Sequence, residues 1–405
     1  MTATLPSLEK LRPNSAWAQL PPFDRSKWKS VRFGDVVENL NDTCDPKEVG
    51  LERYIAMEHM EPGSLHVRTW GNVVDGTTFN RRCRPGQLLF GKRRAYQRKV
   101  AVAGFDAVIS GDIYVLAPKG DRLLPELLPF ICLSERFFQH AVGTSAGSLS
   151  PRTNWISLAS FEFALPPLDQ QRQIAEILWA VDEVKQTRLS VKASADICFS
   201  AVVEAELDRL FEGSCEKLSE LWAASPDSGC SAPPSTVETG HFVLSLTALS
   251  ANGYRAGNLK PVVPTRAMLG ARLTKGDFLI SRSNTQELVG LVGIFEEERN
   301  DVSFPDTMMR LHIDGKRVGP RFLEAVLLSR RGRSHMMRSA AGTSASMKKI
   351  NRQTLGQCLV PTPTLPQQQK FLDKLVGIRA PLPEIDSAVT TTESLMIALL
   401  NAIFP

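Results

Sequence analysis

The stretch Leu165-Pro166-Pro167-Leu168-Asp169-Gln170-Gln171-Arg172-Gln173-Ile174-Ala175 decides the fold, because its pattern Pro-x-Leu-x-Gln-Gln returns as Pro363-Thr364-Leu365-Pro366-Gln367-Gln368. A glycine-threonine-serine loop precedes each copy, at Gly143–Ala146 and again at Gly342–Ala345. The second loop follows the first by 199 residues, and Leu365 follows Leu168 by 197. Two motifs that keep nearly the same offset indicate a duplicated module, and an internal repeat fixes the architecture.

The charge distribution is more informative than the total charge. A chain of 405 residues fits two domains, and its 43% hydrophobic and 22% charged residues are typical of a soluble globular protein. The net charge of +5 is too small to indicate a partner by itself. However, the tracts 76–105 and 325–372 contain many arginines and lysines and no acidic residue, and one such tract lies in each copy. This recurrence favours a polyanionic partner over two solvated basic faces.

The sequence carries no recognisable catalytic or metal-binding motif. Its seven cysteines stand singly, and neither they nor the six histidines have metal-ligand spacing. Walker, methyltransferase and hydrolase motifs do not occur in it. We therefore expect no metal, no cofactor and no enzymatic activity of the chain itself. The dispersed cysteines, the lack of an apolar leader and the short apolar tail 395–404 predict a soluble cytoplasmic protein that does not enter membranes.

Each copy contains short strand-like runs that are separated by glycine, proline, asparagine and aspartate, as in a mixed sheet. These runs are Tyr54–Met57, Gln87–Phe90, Val100–Ala103 and Ile113–Leu116 in the first copy, and His241–Leu246, Asp277–Ile280, Val289–Ile294 and Met308–Leu311 in the second. One helical stretch then follows in each copy, predicted over Leu123–His140 and Pro320–Ala340.

A long helix is predicted after each glycine-threonine-serine loop. Apolar residues recur every three or four positions from Ile174 to Phe211, with Arg188 interrupting the seam. The second copy repeats the pattern more weakly, and Pro381 and Pro383 predict a kink or a break. Each helix needs a partner for its apolar seam. We therefore predict an α+β fold in which two mixed α/β domains in tandem are separated by two long helices that form an antiparallel coiled coil.

This organisation resembles the specificity subunit of type I restriction–modification systems over residues 28–405. The most specific similarities are the segment 165–175 and the segment Gly-Asp-Phe-Leu-Ile-Ser-Arg-Ser at 276–283. The resemblance implies a first target recognition domain at 28–165, a central conserved helix at 166–213, a second target recognition domain at 214–362 and a distal conserved helix at 363–405. The proline-rich residues 1–27 are expected to form an N-terminal arm.

The resemblance also implies a function and partners. The chain would be a non-catalytic subunit that reads a bipartite asymmetric site in double-stranded DNA. The helices would set the distance between the two target recognition domains. Modification (methyltransferase) subunits would clasp the helices and restriction (translocase-nuclease) subunits would join them, so that S-adenosylmethionine and ATP belong to these partners. The seam residues expected to bind partners are Ile174, Ile177, Val181, Val184, Phe371 and Leu375.

Two inter-strand loops are the candidate base readers. Arginine pairs bidentately with guanine, asparagine and glutamine pair with adenine, and serine reaches bases or phosphates. The simpler interpretation of each loop is a solubilising hairpin tip. The residues predicted to contact DNA are Lys92, Arg93, Arg94, Tyr96, Gln97, Arg98 and Lys99 in the first copy, and Arg282, Ser283, Asn284 and Gln286 in the second.

The glycine-threonine-serine loops are the candidate phosphate contacts, because glycine and small hydroxyl residues let backbone N–H groups approach an anion. The alternative is a simple turn between a helix and a strand. The predicted residues are Thr144, Ser145, Arg152 and Asn154 in the first copy, and Thr343, Ser344, Lys348, Lys349 and Arg352 in the second.

Two other functions compete with DNA reading. Asp306, Asp314 and Lys316 are similar to the metal-binding signature of a nuclease superfamily, although Asp314-Gly315 also reads as a tight turn after one strand. The second alternative is a coiled-coil scaffold whose basic loops read no sequence.

Overall fold

The computed structural model of the chain describes residues 24–342 and 347–405. The predicted arm at 1–27 therefore lies almost entirely outside the described residues. The described chain divides into two compact units. Unit 1 comprises the chain up to Val191 together with Glu384–Pro405, and unit 2 comprises Lys192–Pro383.

Unit 1 contains two four-stranded sheets and a separate strand pair. The first sheet has the order β2-β9-β6-β7 and is antiparallel throughout. The second has the order β4-β3-β8-β5, in which β3 and β8 run parallel. The pair β1–β10 is antiparallel. The strands are β1 (Lys29–Arg32), β2 (Val37–Leu40), β3 (Arg53–Ile55), β4 (Gly71–Asn72), β5 (Arg81–Cys83), β6 (Leu88–Gly91), β7 (Val100–Val102), β8 (Ala107–Ile109), β9 (Ile113–Pro118) and β10 (Glu162–Leu165).

Unit 2 repeats this topology. The strands are β11 (Cys215–Lys217), β12 (Trp222–Ser228), β13 (Phe242–Leu244), β14 (Leu249–Ser250), β15 (Gly253–Tyr254), β16 (Leu259–Pro261), β17 (Phe278–Ser281), β18 (Ser283–Asn284), β19 (Val292–Ile294), β20 (Val302–Ser303), β21 (Met308–Ile313), β22 (Lys348–Lys349) and β23 (Leu359–Pro361). The sheet β12-β21-β17-β19 corresponds to β2-β9-β6-β7, and β16-β13-β20 corresponds to β4-β3-β8, including its parallel pair. The pair β11–β23 corresponds to β1–β10. The predicted duplication and the predicted strands are confirmed.

The helices follow the prediction with one correction. They are α1 (Phe33–Val36), α2 (Leu128–Leu133), α3 (Glu135–Gly143), α4 (Trp155–Ala159), α5 (Leu168–Phe211), α6 (Arg266–Gly270), α7 (Pro320–Leu328), α8 (Arg330–Ser339), α9 (Arg352–Gly356), α10 (Leu365–Arg379) and α11 (Leu382–Ile403). The single helix predicted in each copy is wrong, because Ser134 and Ser329 adopt extended backbone conformations and divide it into two. The Ser134 hydroxyl donates to the Ile131 carbonyl at 2.7 Å and accepts from the Phe137 N–H. The Ser329 hydroxyl donates to the Val326 carbonyl at 2.6 Å and accepts from the Gly332 N–H. Each serine thus ends one helix and caps the next.

The two long helices agree with the sequence pattern. The helix α5 is continuous over 44 residues, as the apolar periodicity predicts. The distal helix is broken between Arg379 and Leu382, where Pro381 stands, so the predicted break is confirmed. Among the described residues, no helix has both the length and the apolar character required to span a membrane.

Within each unit, α5 packs antiparallel against a distal helix. In unit 1, Lys185 pairs with Glu393 at 3.3 Å, and Arg188 Nη1 donates to the Ala388 carbonyl at 2.6 Å and to Thr392 Oγ1 at 2.5 Å. In unit 2, Lys374 Nζ lies 2.7 Å from a Glu206 oxygen, and the Arg379 guanidinium covers the Phe199 ring. Residue numbers rise along α5 as they fall along its partner in both units. The coiled-coil geometry itself stays a prediction.

The second glutamine of each Gln-Gln motif anchors the start of its helix. Gln171 is buried, its Nε2 donates to the Pro166 and Arg122 carbonyls at 2.8 Å, and its Oε1 accepts from the Leu124 N–H at 2.9 Å. Gln368 makes the equivalent three hydrogen bonds, to Pro363, Arg317 and Gly319, at 2.8–3.0 Å. The repeated motif therefore ties each long helix to the loop that leads into α2 or α7.

Candidate nucleic-acid interface

In each unit, main-chain hydrogen bonds join the predicted base-reading loop to the segment that follows the glycine-threonine-serine loop. In unit 1, the Arg94 N–H donates to the Pro151 carbonyl at 2.7 Å, and the Thr153 N–H donates to the Lys92 carbonyl at 3.0 Å. In unit 2, β18 pairs with β22, and the Ile350 N–H donates to the Arg282 carbonyl at 3.0 Å. Residues predicted from two distant stretches thus form one surface per unit. We call residues 92–99 with 144–154 loop surface 1, and residues 282–286 with 347–352 loop surface 2.

A strained turn lies at the centre of the first reading loop. Arg94 and Arg98 have φ angles of 53° and 54°, in the left-handed region that side chains with a Cβ rarely adopt. They flank a single 3-10 turn, Ala95–Gln97, in which Ala95 is buried while Tyr96 remains 55% exposed. Strain of this kind concentrates at functional sites. Among the described residues, the Tyr96 hydroxyl has no hydrogen-bond partner.

An acidic residue fixes two of the arginines on loop surface 1. Asp112 accepts from Arg152 Nε at 2.8 Å and from Arg93 Nη1 at 3.4 Å. Burial raises the pKa of the Asp112 carboxyl, but the hydrogen bonds and charges of Arg152 and Arg93 outweigh burial and hold that pKa below its usual range. One carboxylate between two guanidinium groups leaves a net positive charge. The sequence analysis did not identify Asp112 as a partner of these arginines.

Three other cations of the first reading loop, Lys92, Arg98 and Lys99, contact groups within the protein. Arg98 forms an ion pair with Glu135 at 2.5 Å, and Lys99 Nζ donates to the Met57 carbonyl at 2.7 Å. Lys92 Nζ lies 4.9 Å from the centre of the Tyr114 ring, and burial, together with the charge of Arg81, lowers the pKa of Lys92. DNA contacts by these side chains stay predictions.

The hydroxyl and amide groups of the first glycine-threonine-serine loop serve as helix caps. Thr144 Oγ1 donates to the His140 carbonyl at 2.8 Å, and Ser145 Oγ donates to the Ala141 carbonyl at 2.7 Å, both at the C-terminal end of α3. Asn154 Oδ1 accepts from the Ser157 N–H at 2.8 Å and caps α4. A phosphate would have to share these hydrogen bonds with the helices.

Loop surface 2 presents two available cations. Among the described residues, the half-buried Arg282 side chain and the exposed Lys349 side chain have no hydrogen-bond or ion-pair partner. The remaining predicted side chains make local contacts: Lys348 with the Gly342 carbonyl, Arg352 with Ser228, Gln286 with the Met337 carbonyl and Asn284 with Ser281 and Thr285. Ser283 is 6% exposed. Thr343 and Ser344 lie outside the described residues.

The predicted partner-binding seam is largely internal. Ile174 is fully buried in the core of unit 1, and Phe371 is 6% exposed in the core of unit 2, so their side chains pack internally, and a role in partner binding stays a prediction. Ile177, Val181 and Leu375 are half-buried against the same cores. The apolar periodicity therefore reflects the internal packing of the helix, and Val184, at 45%, is the most exposed of the six seam residues.

The nuclease interpretation conflicts with the strand positions. Asp306 lies in the turn before β21 and Asp314 follows the strand, so that the six extended residues of β21 separate them by roughly 20 Å. Asp314 Oδ1 accepts from the Lys316 N–H at 3.0 Å, which closes the Asp-Gly turn. Within the described parts of the chain, no cluster of three histidine, cysteine or acidic side chains could hold a metal ion. The two aspartates cannot share a metal.

Part of the chain matches a known protein family. Residues 25–193 match the family model described as the type I restriction modification DNA specificity domain. This match covers less than half of the chain. A relative in Escherichia coli, the type I restriction enzyme EcoDI specificity subunit, is 25% identical over 155 residues, which are 38% of this chain and 34% of the relative. The chain thus aligns with about a third of that relative's length.

One solved structure shares the fold of this chain, and a second is less similar. The structure described as "Structural basis underlying complex assembly and conformational transition of the type I R-M system" has a TM-score of 0.59 and 16% identity, and the match covers 93% of this chain and 97% of the other. The crystal structure of the type I restriction-modification system S subunit from M. genitalium has a TM-score of 0.49 and 13% identity over 97% and 99% of the two chains.

Proposed function

We propose that this chain is the DNA sequence-specificity subunit of a type I restriction–modification complex and that it reads a bipartite asymmetric site in double-stranded DNA. Loop surface 1 would read one half of the site and loop surface 2 the other. The observation that carries the proposal is the recurrence of the same construction in both units: a loop between corresponding strands is hydrogen bonded to the segment that follows a glycine-threonine-serine loop. An acid-free basic tract contains the reading loop in unit 1 and the glycine-threonine-serine loop in unit 2. One reader per half-site accounts for a chain with two readers.

The side chains of the two surfaces suit different tasks. Arg282 lacks an internal partner among the described residues and carries the fork of donors that guanine accepts, so we assign it to base reading. Lys349 is exposed and unpaired in the same described region, and we assign it to a phosphate. Arg93 and Arg152 are oriented by Asp112, which reduces the entropy that a DNA contact would have to overcome.

The chain would supply recognition and not catalysis. Modification (methyltransferase) and restriction (translocase-nuclease) subunits would provide methyl transfer and ATP-dependent cleavage, and the exposed side of the helices around Val184 is our candidate for part of their docking surface. The domain boundaries at 28–165, 166–213, 214–362 and 363–405 belong to this proposal. We expect the complex to act in the cytoplasm.

Methylation sequencing tests the proposal. The chain is co-expressed with a cognate modification subunit in a host that lacks DNA methylation, and modified bases are mapped. We expect one bipartite motif with a fixed gap, of which only one half changes when residues 214–362 are exchanged for the second domain of a relative. Methylation without a motif, or a motif that such an exchange leaves unaltered, would refute the assignment of one reader to each half-site.

A further inference from the structure

The side chains of the first reading loop, residues 92–99, form an outer group and an inner group. The outer side chains lie at the two ends of the loop and contact other groups of the protein: Lys92, Arg93, Arg98 and Lys99. Among the described residues, the inner side chains have no hydrogen-bond or ion-pair partner: Arg94, Tyr96 and Gln97. This division indicates that the ends of the loop maintain its shape and that its middle is available to a ligand.

Main-chain hydrogen bonds hold the backbone around the inner group. The Gly91 N–H donates to the Lys99 carbonyl at 3.0 Å and closes the base of the loop. The Arg94 N–H donates to the Pro151 carbonyl at 2.7 Å, and the buried Ala95 packs into the core of unit 1. A ligand therefore meets a turn whose backbone is already ordered, and its binding restricts little more than three side chains.

Left-handed backbone conformations occur at both ends of the inner turn. Arg94 and Arg98 adopt them although each carries a Cβ, and a glycine would adopt them at a lower cost in free energy. The loop of unit 2 has a glycine at the second of these positions: Gly290, with a φ of 75°, precedes the residue that closes that loop, as Arg98 does in unit 1. Long side chains are expected at strained positions where they serve a function, and Arg98 bonds Glu135 within the protein. Arg94 has no such bond among the described residues, and its Nε is buried without a partner.

The three inner side chains match three different groups that DNA presents in its major groove. A guanidinium pairs with O6 and N7 of guanine, and a carboxamide pairs with N6 and N7 of adenine. An apolar group contacts the methyl group of thymine, and the Tyr96 ring, which is 55% exposed, offers such a surface. The outer cations suit phosphates, because phosphate contacts fix the position of a protein on DNA without reading its sequence.

We infer that Arg94, Tyr96 and Gln97 read the bases of one half-site, and that the outer side chains of the loop give no sequence specificity. Arg94 binds a guanine, Gln97 binds an adenine, and the Tyr96 ring covers the methyl group of a thymine. The inference rests on the proposed function and narrows base reading in this loop to its inner side chains. The half-site read by residues 28–165 should then contain both a G·C and an A·T base pair.

Base analogues that lack a single group test the three contacts. The complex of the full chain with its modification subunit is titrated with duplexes of the methylation motif in which 7-deazaguanine, 7-deazaadenine or deoxyuridine replaces one base at a time. In the half-site of unit 1, one 7-deazaguanine should weaken wild-type binding about tenfold, and one 7-deazaadenine and one deoxyuridine about fourfold each. Arg94→Ala should lose the response to 7-deazaguanine alone, Gln97→Ala that to 7-deazaadenine alone, and Tyr96→Ala that to deoxyuridine alone. Tyr96→Phe should keep all three responses, because the ring remains.

Two further variants serve as comparisons for this series. Arg122 is exposed in unit 1 and lies outside loop surface 1, so Arg122→Ala should keep the wild-type affinity for every duplex. Lys92→Met removes an outer cation. It should weaken all duplexes alike while keeping the three responses, because a lost phosphate contact does not depend on the base.

The possible failures of the inference and of the proposed function can be told apart. If the inner variants keep all three responses while the wild type discriminates its motif, the inference is overturned and the proposed function stands. Loss of a response in Lys92→Met would also overturn the inference, because an outer side chain would then read a base. A wild-type chain that does not discriminate its motif would refute both proposals.

Discussion

Replacing Gln171 by alanine removes the side chain that ties the start of α5 to the loop ahead of α2. Three hydrogen bonds of 2.8–2.9 Å are lost. The Arg122 carbonyl belongs to an exposed residue and can bind water instead. The Leu124 N–H and the carbonyl of the buried Pro166 are left without a partner, at about 1–2 kcal/mol each. We therefore expect unit 1 to lose about 3 kcal/mol of its free energy of unfolding.

The chain contains its own control for this prediction. Gln369 is also a glutamine of the motif region, but it is exposed and only bonds Asp373 at 2.8 Å, one helical turn away. Gln369→Ala should therefore cost no more than about 0.5 kcal/mol. Gln368→Ala should reproduce the Gln171→Ala loss in unit 2, because Gln368 makes the same three bonds there.

Hydrogen exchange with urea unfolding provides the assay, because a chain of two units need not unfold in a single transition. The amide of Leu124 should exchange faster in Gln171→Ala, while the amide of Gly319, which Gln368 holds in unit 2, should keep its protection. A loss of stability no larger than that of Gln369→Ala, or unchanged protection of Leu124, would refute the role of the glutamine as an anchor.

Three further predictions follow from the geometry. Arg282→Ala should lose about 1–3 kcal/mol of discrimination at one base pair, whereas Lys349→Ala should weaken all sequences alike and flatten the salt dependence of binding, as measured on motif and scrambled duplexes. The pKa of the Asp112 carboxyl is lowered in the folded chain. The stabilisation by this carboxylate is therefore complete above the pKa of about 4 that it has in the unfolded chain, and it is lost as the pH falls through the lower pKa of the folded chain. The melting temperature of Asp112→Asn should accordingly fall less on acidification than that of the wild type. Burial raises the pKa of Cys83 to about 12, so maleimide at pH ~8 should label the exposed Cys198 and leave Cys83 unmodified until the protein unfolds.

Local patterns were sufficient for the elements and for the duplication. Strand runs alternate with turn residues, and the apolar period of α5 extends over 44 residues. Both patterns are formed by residues close together in the sequence, so strands and helix can be predicted without tertiary contacts. Proline acts on its own helix, which is why the break at Pro381 could be predicted. The serines that divide the shorter helices were missed, because a serine hydroxyl caps a helix only where the chain has already turned.

Tertiary structure decided how the predicted residues are used. The sequence by itself determined a repeated basic module, a long central helix and the candidate reading loops. It did not determine that the Thr153 N–H bonds to the Lys92 carbonyl or that Asp112 binds Arg93 and Arg152. It also did not determine that apolar residues of the helix seam are buried in the cores of the two units. Such contacts join residues tens of positions apart. Their formation depends on the folded path of the chain, and a one-dimensional pattern does not contain that path.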